Sequence, residues 1–521
     1  MDDATAREAS AGGADREPAR IEADMFRELQ AGLGRMFRAF VDDPNAPRTV
    51  VIVPSLSLDQ EVLARISGAH HYEERMLCLL LLLRLPRTEV IYVTSRPIPE
   101  PIVDYYLHLL PGIPAQHARR RLTLLSCHDG SATALTAKLL ARPRLLRRLR
   151  DAISDPATAH LSCFNVTEME RTLALRLGLP IYGCDPALLH WGSKSGSRKI
   201  FREAGIPMPD GFEDLGGAED VAAALAALKA RRPDMRRAVV KLDEGFSGEG
   251  NAVFDFEGAP GSGLESWVLN RLPRLAFEAK GMTWDLFAEK LAGMGGTVEA
   301  FVEGAVKRSP SAQFRVDPLG RLEPISTHDQ VLGGRTGQIF LGCRFPADDD
   351  YRLQIQENGA RAARVLAEKG VLGRFAVDFL SVKHGGAWRH YAIEVNLRKG
   401  GTTHPFLMLQ YLTDGRYDAE SGSFLTPAGH PRCYYASDNL EAERYRGLTP
   451  SDLIDIAALN GLHFNGACQE GVAFHLIGAL SEFGKLGVLC IGPSHDRAEA
   501  LYRRTVEILD RESGASEGNL R

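Results

Sequence analysis

Short apolar runs alternate with longer amphipathic stretches in the first third of the chain. Residues 50–53, 89–93 and 122–125 are compact and apolar, whereas residues 61–85 have the mixed spacing of a helix. Apolar runs of this length between turn residues are typical of buried strands. Strands that alternate with helices predict an α/β layer, with helices packed on a sheet.

The middle of the chain predicts two strands around a glycine-rich segment. Residues 239–241 and 252–254 are apolar, and helical patterns at 194–204 and 221–229 precede them. Glycine, proline and serine mark a turn at 255–264. The last fifth of the chain predicts a helix at 452–459, an apolar segment at 472–480, a strand at 487–491 and a helix at 495–510. This pattern suits a small C-terminal α/β unit.

The length of 521 residues predicts about three domains, because single cores rarely grow so large. Changes in composition indicate where the units begin and end. The predicted units are a disordered tail at 1–24, an α/β domain at 25–185, a second domain at 186–413, a linker at 414–432, a C-terminal domain at 433–512 and a disordered tail at 513–521.

Composition indicates a globular cytoplasmic protein. Apolar residues make up 44% and charged residues 25%, and the net charge of −5 gives no general attraction to nucleic acid. The longest aliphatic run, residues 77–83, is far shorter than the ~20 residues that cross a membrane. Eight scattered cysteines without a Cys-x-x-Cys pair favour buried thiols over disulfides or zinc. The acidic start is neither a signal nor a transit peptide.

One cluster of basic residues allows a nucleic-acid interpretation. Its members are Arg119, Arg120, Arg121, Arg142, Arg144, Arg147, Arg148 and Arg150. No aromatic residues are interleaved with them, so a solvated helix face is the better interpretation. We therefore expect neither a nucleic-acid partner nor a membrane.

A predicted β-hairpin carries a candidate metal site. In a strand at 390–398, side chains alternate between two faces. The apolar face has Tyr391, Ile393, Val395 and Leu397, and the polar face has Glu394, Asn396 and Arg398. Asp378, on the preceding strand, is as far before Gly386 as Glu394 is after it, so an antiparallel pairing places the two carboxylates opposite each other.

Opposed carboxylates repel each other unless a cation separates them. Asp378, Glu394 and Asn396 supply the oxygen ligands that Mg²⁺ prefers. An edge hairpin with one solvated face explains the hairpin equally well. Arg398 on the same face favours the site, because charge that develops on a phosphoryl group needs a fixed cation.

Two lysines and a glycine-rich loop form candidate phosphate contacts. Lys241 leads into residues 243–251, where glycines let backbone amides approach an anion closely. A long hairpin turn is the alternative, and the spacing excludes a P-loop. Lys194 lies at a predicted helix start, which also suits an anion. Residues 299–303 combine an apolar stretch with acidic ends and can hold adenine, although an ordinary strand edge has the same pattern.

These residues, in this order, resemble the ATP-grasp superfamily. The resemblance rests on SKSGSRKIFREAGIPMP (193–209), VVKLDEGFSGEGN (239–251) and VDFL with IEVNLRKGGTTHP (377–380 and 393–405). The segments STHDQVLGGRTGQIFLGCRFP (326–346), GVAFHLIGAL (471–480) and GKLGVLCIG (484–492) resemble the pheganomycin-type peptide ligases. The fold that this implies is an N-terminal α/β pre-ATP-grasp domain, an ATP-grasp domain and a small C-terminal α/β domain.

The resemblance implies a role for each candidate residue. Lys194 and Lys241 would hold the phosphates, and the loop with Gly245, Ser247, Gly248 and Gly250 would cover them. Adenine would contact Glu299 and the hinge residues Ala300, Phe301 and Val302. Asp378, Glu394 and Asn396 would bind Mg²⁺, and Arg398 would steady the phosphoryl group. Several relatives have an acid for the ribose where this chain has Val306 and Lys307, and Glu303 is the expected substitute.

The implied activity is ATP-dependent joining of a small-molecule carboxylate to an amino-acid or peptide amine, in peptide natural-product biosynthesis. An acyl phosphate would form first, and ADP and phosphate would be released. A grasp-fold kinase and a non-catalytic nucleotide-binding regulator are the alternatives, and a homodimer is one possible assembly. Arg335 is a candidate to grip a substrate carboxylate or else a surface arginine, and His328 with Asp329 is either a base or structural.

Overall fold

The computed structural model describes residues 16–58, 60–245, 250–279, 281–333 and 339–514. Helices and strands are mixed throughout, and the predicted α/β character is confirmed. Within the described residues, no helix combines the length and apolar character that a membrane crossing requires.

An N-terminal parallel sheet has four strands in the order β3-β2-β1-β4. They are β1 (Arg48–Val53), β2 (Thr88–Thr94), β3 (Leu122–Ser126) and β4 (Ala159–Cys163). The first three were predicted from their apolar runs, and β4 was not. The helices of this layer are α1 (Arg16–Asp42), α2 (Gln60–Arg65), α3 (Glu100–His108), α4 (Ala115–Arg119), α5 (Leu135–Leu140), α6 (Pro143–Asp151) and α7 (Glu168–Leu177), with 3₁₀ turns at Ala69–Arg84, Pro156–Thr158 and Pro186–Gly192.

The helix predicted at 61–85 is two helices. Helix α2 ends at Arg65, and a 3₁₀ helix follows at Ala69–Arg84. Gly68 breaks the run with φ 65°, a left-handed conformation that glycine adopts without strain. A Cβ atom on Gly68 would also lie 2.7 Å from the Phe483 ring, so this break lets the C-terminal segment pack closely.

Helix α1 contradicts part of the predicted N-terminal tail. It begins at Arg16, so the prediction of disorder is wrong for residues 16–24. The helix is anchored because Phe26 is fully buried and the Gln30 amide bonds both backbone groups of Ile181. At the other end the last helix extends to Gly514, two residues into the predicted C-terminal tail.

A five-stranded sheet follows in the order β5-β9-β6-β7-β8. Its strands are β5 (Gly211–Leu215), β6 (Arg237–Leu242), β7 (Asn251–Asp255), β8 (Ala276–Phe277) and β9 (Gly296–Ala300). The predicted strands at 239–241 and 252–254 are confirmed as parts of β6 and β7. The accompanying helices are α8 (Lys194–Ala204), α9 (Ala218–Arg231), α10 (Leu264–Arg271) and α11 (Trp284–Met294), with a 3₁₀ turn at Leu272–Arg274.

A nine-stranded sheet forms the centre of the molecule, in the order β10-β14-β11-β12-β13-β18-β20-β19 with β15 paired to β14. Its first strands are β10 (Lys307–Arg308), β11 (Pro310–Val316), β12 (Leu322–Gly333), β13 (Ile339–Phe345), β14 (Gly373–His384) and β15 (Ala387–Asn396), accompanied by α12 (Arg352–Glu368) and α13 (Thr403–Thr413). The strands β10 to β13 were not predicted. Their polar faces hid the alternation.

The C-terminal segment adds its strands to this same sheet. The predicted linker contains a two-stranded hairpin, β16 (Arg416–Asp418) with β17 (Ser423–Leu425). The remaining elements are β18 (Cys433–Glu441), a 3₁₀ turn at Glu443–Gly447, α14 (Pro450–Leu459), β19 (Gly471–His475), α15 (Ala479–Phe483), β20 (Lys485–Gly492) and α16 (His495–Gly514). Because β18 pairs with β13, the C-terminal strands continue the central sheet directly.

The predicted hairpin is present, with a bulge in its second strand. Asp378 pairs with Glu394, but the next pair is Phe379 with Ala392, so Ile393 is the extra residue. The bulge shifts the alternation. Ala392 therefore joins the core beside Val395 and Leu397, and the predicted placement of Tyr391 and Ile393 on that apolar face is wrong.

The largest apolar core joins the N-terminal and C-terminal ends of the chain. It contains Ile52 and Tyr92 from the parallel sheet together with Leu453 and Phe474 from the C-terminal segment. Polar contacts cross the same boundary, since the Phe474 N–H donates to the Tyr105 hydroxyl at 2.9 Å. These two parts of the fold therefore stabilise each other.

A matched pair of leucines on α14 tests this shared core. Leu453 is 0% exposed and Leu459 is 86% exposed. We expect Leu453→Ala to lower the free energy of unfolding by about 2–5 kcal/mol, because it leaves a cavity, and Leu459→Ala to have little effect. Guanidinium denaturation followed by circular dichroism measures both. Equal effects in the two variants would show that the core does not extend to α14.

Candidate active site

The carboxylate hairpin has the geometry expected from the sequence. Asp378 on β14 lies directly opposite Glu394 on β15. The Asn396 side-chain amide donates to Asp378 at 3.0 Å and to Glu394 at 3.1 Å, so it joins the two carboxylates. The three predicted ligand side chains therefore converge on one small area of the sheet.

The electrostatics of this face reflect two neighbouring negative charges. Loss of water and then repulsion from Glu394 raise the pKa of Asp378. Burial also acts to raise the pKa of Glu394, but the Lys194 ammonium outweighs it, and the pKa is lowered. The protein thus stabilises the charge of Glu394 more than the charge of Asp378.

Lys194 reaches this face from the start of α8. Its ammonium group forms an ion pair with the Glu394 carboxylate across 200 residues of sequence. Two of the predicted functional groups, a phosphate lysine and a metal ligand, are therefore in direct contact.

The start of α8 is satisfied by an internal anion. The Ser195 N–H donates to the Asp243 carboxylate at 2.8 Å, and the Lys194 N–H donates to the Asp243 carbonyl at 3.1 Å. The helix start was predicted to suit an anion, and this carboxylate takes that place. Because Asp243 follows Lys241 by two residues, it also ties the two lysine segments together.

Lys241 belongs to a buried charge cluster with Glu299. Its ammonium lies 2.6 Å from one Glu299 oxygen, and Arg198 lies 3.2 Å from the other. The three side chains are at most 7% exposed. Arg198 also bonds Glu213 at 3.0 Å, so its charge has a second partner. Glu299 therefore balances two cations on the strand where adenine binding was predicted.

The glycine-rich loop is closed at its base. The Leu242 N–H donates to the Gly250 carbonyl at 2.9 Å, and a Cβ atom on Gly245 would lie 3.3 Å from the Gly250 nitrogen. The predicted loop contacts Ser247 and Gly248 lie outside the described residues. The two described ends of the loop therefore lie next to each other.

The predicted adenine hinge has part of its backbone already bonded. The N–H groups of Ala300 and Phe301 donate to the carbonyls of Asp210 and Arg237 at 2.7 and 3.2 Å. The Lys307 ammonium donates to the Val302 carbonyl at 2.5 Å. The N–H groups of Ala300 and Phe301 and the carbonyl of Val302 therefore already have partners within the protein.

Cations surround the hinge aromatic ring. Arg237 lies 4.0 Å and Lys307 4.4 Å from the centre of the Phe301 ring. Arg237 also forms a two-oxygen ion pair with Glu303, the expected ribose contact, at 2.8 Å. A ribose contact from Glu303 would therefore share this carboxylate with Arg237.

Arg398 lies beside the carboxylate face. Burial lowers the pKa of Arg398, whereas the charges of Glu394 and Asp378 raise it. The Arg398 guanidinium therefore interacts electrostatically with both acids. Arg335, the other predicted catalytic arginine, lies outside the described residues. His328 is fully buried with Nε2 2.7 Å from the Tyr434 hydroxyl, and Asp329 accepts from the Tyr351 hydroxyl at 2.6 Å. These contacts support the structural interpretation of that pair.

Several functional candidates were not predicted. Arg198 and Asp243 were inside quoted motifs, but their partners are distant in sequence. A buried polar cluster also escaped notice, in which Asp438 contacts Arg75, His404 and His475. His404 was within the quoted GGTTHP run. The other three come from different parts of the chain, so no local spacing reveals them.

Comparisons with known proteins identify the fold class of this chain. A family profile described as IQCH-like ATP-grasp matches residues 186–275 and 265–420, and one described as the PGM1 C-terminal domain matches residues 452–505. The chain also resembles the solved biotin carboxylase of Campylobacter jejuni in a β,γ-ATP complex, with a TM-score of 0.52, 13% identity, and coverage of 91% of this chain and 96% of that one. This likeness shows an ATP-grasp fold.

A second solved structure has the same fold. The biotin carboxylase domain of 2-oxoglutarate carboxylase from Hydrogenobacter thermophilus, in complex with MgADP and bicarbonate, is 12% identical with a TM-score of 0.54. The alignment covers 88% of this chain and 89% of that one.

A curated relative narrows the class to a family. L-propargylglycine–L-glutamate ligase from Streptantibioticus cattleyicolor is 30% identical over 483 residues, which are 91% of this chain and 95% of the relative. At that identity and coverage, the chain belongs to the family of ATP-grasp ligases that includes this enzyme. The resemblance predicted from the sequence is confirmed.

The buried Lys241–Glu299–Arg198 cluster predicts an unequal effect of two neighbouring charge removals. Glu299→Gln leaves buried cations without their counter-charge, and we expect a loss of about 3–5 kcal/mol in the free energy of unfolding. Glu303→Gln removes an exposed pair with Arg237, and we expect a loss below about 1 kcal/mol. Urea denaturation without nucleotide measures both. A smaller loss in Glu299→Gln than in Glu303→Gln would contradict the assigned burial of the cluster.

Proposed function

We propose that this protein joins a small-molecule carboxylate to an amine at the expense of ATP. The amine belongs to an amino acid or a peptide, and ADP and phosphate are the other products. The family relationship supports this activity, since the 30% identical relative is named as a ligase of two amino acids. A homodimer stays a prediction.

The contact between Lys194 and Glu394 carries the proposal. This contact places the Lys194 ammonium, which is suited to bind phosphate, beside the hairpin carboxylates. The two carboxylates and the Asn396 amide converge at this point of the hairpin. A protein that only bound nucleotide would need the lysines. The paired acids add ligands for a divalent cation, which would offset the negative charge of the transferred phosphoryl group.

The hairpin fits a bound Mg²⁺ ion. Asp378, Glu394 and Asn396 offer oxygen atoms of the kind that Mg²⁺ takes as ligands. Burial, and then repulsion from Glu394, raise the pKa of Asp378, and a bound cation would offset this repulsion. These three residues would hold the ion. When bound, it would neutralise phosphate oxygens and orient the triphosphate.

The chain's own residues would position the reactants. Lys194 and Lys241 would hold the α and β phosphates, and Arg398 would steady the γ-phosphoryl group beside the acids. The substrate carboxylate would attack the γ-phosphate, giving an acyl phosphate and ADP. The residues between Gly245 and Gly250 would cover the reacting groups, because an acyl phosphate is lost to water unless water is excluded.

The ligase and kinase activities predict different products. A ligase gives an amide, whereas a grasp-fold kinase gives a phosphorylated hydroxyl compound and stops. Mass spectrometry of reactions with ATP, Mg²⁺ and panels of amino acids, including L-propargylglycine and L-glutamate, separates them. A stable phosphorylated product without amide would replace the ligase proposal with the kinase.

Removing either hairpin carboxylate tests the metal assignment. We expect Asp378→Asn and Glu394→Gln to lower carboxylate-dependent ADP release on the order of 100-fold, because charge stabilisation at the phosphoryl group is lost. Glu357→Gln, an exposed acid on α12, is the control. ADP release is measured with a coupled assay over a range of Mg²⁺ concentrations. Turnover that survives both hairpin changes would remove these residues from the site.

Two lysines on α8 provide a matched test of phosphate binding. Lys194 contacts the hairpin, whereas Lys199 is 43% exposed and pairs with Asp214. We expect Lys194→Met to weaken binding of ATP with Mg²⁺ about tenfold or more, the value of a charge-assisted contact. Lys199→Met should bind as the wild type does. Isothermal titration calorimetry measures both, and equal dissociation constants in the three proteins would refute the assigned contact.

A further inference from the structure

An open cavity lies where the N-terminal layer, the central sheet and the end of α13 meet. Its volume is about 310 Å³. A water molecule occupies about 30 Å³ in the liquid, so the cavity has room for a small polar molecule. Its lining is mainly polar and contains Arg84, Arg315 and Arg374 together with Gln410, Tyr411 and Asp414. None of these residues has a part in the reaction proposed above.

Two of the three arginines lie directly opposite each other in the central sheet. Arg315 on β11 pairs with Arg374 on β14. Opposite residues on antiparallel strands point to the same face, with Cβ atoms about 5 Å apart. Like charges in this arrangement destabilise a sheet. The pairing is therefore favourable only where negative charge is close to both guanidinium groups.

The described carboxylates offset two of the three arginine charges. Arg84 forms an ion pair with Asp414, and Arg315 forms one with Glu323. Arg374 has no ion pair or hydrogen bond within the described ranges, and its guanidinium carbon lies 6.0 Å from the centre of the Phe406 ring. A ring at that distance does not replace a counter-ion.

The surroundings make the unbalanced charge of Arg374 unfavourable. Burial lowers the pKa of Arg374, and the charge of Arg315 lowers it further. The groups that act in the other direction are two tyrosines and a cysteine, which are uncharged at neutral pH. Burial also lowers the pKa of Lys399 to about 8, and the charge of Arg374 contributes to this shift. An anion beside Arg374 would offset the positive charge at both positions.

The cavity is separate from the candidate phosphoryl site. Arg374 lies four residues before Asp378 on β14, so the two side chains share a face but are about 13 Å apart at the usual rise of a strand. Helix α13 begins at Thr403, shortly after Arg398, and Tyr411 in its last turn lines the cavity. An anion in the cavity would therefore not occupy the place of the transferred phosphoryl group.

We propose that this cavity is a second anion site, which binds a small molecule through its phosphate or carboxylate groups. Guanidinium groups bind both kinds of oxyanion with paired N–H donors. Arg374 would supply the charge that has no carboxylate partner among the described residues. The bound anion would connect the N-terminal layer, through Arg84, to the central sheet, through Arg315 and Arg374. This site does not depend on the proposed ligase reaction.

Water alone is the alternative occupant of the cavity. Water molecules can accept hydrogen bonds from the guanidinium groups. They carry no net charge to offset the repulsion between Arg315 and Arg374, whereas an anion meets both requirements. The two occupants predict different results when anions are added to the protein.

Arg374→Gln tests the site because glutamine keeps a polar side chain and removes the charge. Phosphate and succinate are titrated separately into wild type and variant by isothermal titration calorimetry, with Mg²⁺ and a non-hydrolysable ATP analogue present to occupy the phosphoryl site. We expect at least one of these anions to bind the wild type. Its dissociation constant should rise about tenfold or more in Arg374→Gln, the value of a charge-assisted contact. Arg364→Gln, which changes an exposed arginine on α12, is the control and should bind as the wild type does.

The two titrations distinguish the source of the anionic group. Tighter binding of phosphate would indicate a phosphate-bearing ligand, and tighter binding of succinate would indicate a dicarboxylate. No binding of either anion to the wild type, or equal dissociation constants in the wild type and Arg374→Gln, would overturn the proposal. Binding that is lost in Lys194→Met but kept in Arg374→Gln would place the anion at the phosphoryl site and would also overturn it.

A second variant covers the case in which circular dichroism shows that Arg374→Gln does not fold. The Arg84 side chain is 28% exposed, so its replacement disturbs the core less. Arg84→Gln removes one donor group and leaves the Asp414 charge unpaired beside the cavity, so we expect the anion to bind several-fold more weakly. In that case, unchanged binding in Arg84→Gln would overturn the proposal.

Discussion

Charges withdrawn from water must be offset within the protein, and this constraint shapes the whole candidate site. Lys241 and Arg198 share Glu299, and Lys194 is paired with Glu394. An unpaired charge at such positions would cost several kcal/mol. The groups suited to phosphate are therefore held in place by carboxylates.

The same constraint explains how distant segments are brought into register. Asp243 bonds the first amides of α8, and it lies between Lys241 and the glycine-rich loop. The hairpin then meets α8 through Lys194, while the Ser197 hydroxyl accepts from the Val395 N–H at 2.9 Å. Three segments that are far apart in sequence are thus aligned by hydrogen bonds that leave few polar groups unsatisfied.

Local chemistry made part of this arrangement predictable. Counting residues on each side of Gly386 predicted the opposition of Asp378 and Glu394 correctly, but the tight turn alone does not produce it. The turn pairs His384 with Ala387, and the extra residue at the bulge then brings Glu394 opposite Asp378. The lysines were found from their place before a glycine loop and at a helix start. The bulge at Ile393 was not predicted, because one extra residue does not change the apolar pattern of the sequence in a recognisable way.

Contacts between residues that are far apart in the chain could not be predicted from local sequence patterns. No spacing indicated that Lys194 would meet Glu394, or that Asp438 would join His404 and His475. The break at Gly68 likewise depends on Phe483, more than 400 residues away. Strands β10 to β13 were missed because polar residues interrupt the apolar alternation, and several of these, such as Ser311 and Thr327, are buried. Tertiary packing decided each of these features.

The apolar core shared by Ile52, Tyr92, Leu453 and Phe474 has a consequence for protein engineering. Exchange of the C-terminal segment between members of this family would place foreign side chains against the native parallel sheet. Hybrid enzymes with altered substrate preference should therefore transplant both ends of the polypeptide together, and keep the central nucleotide-handling portion as the recipient.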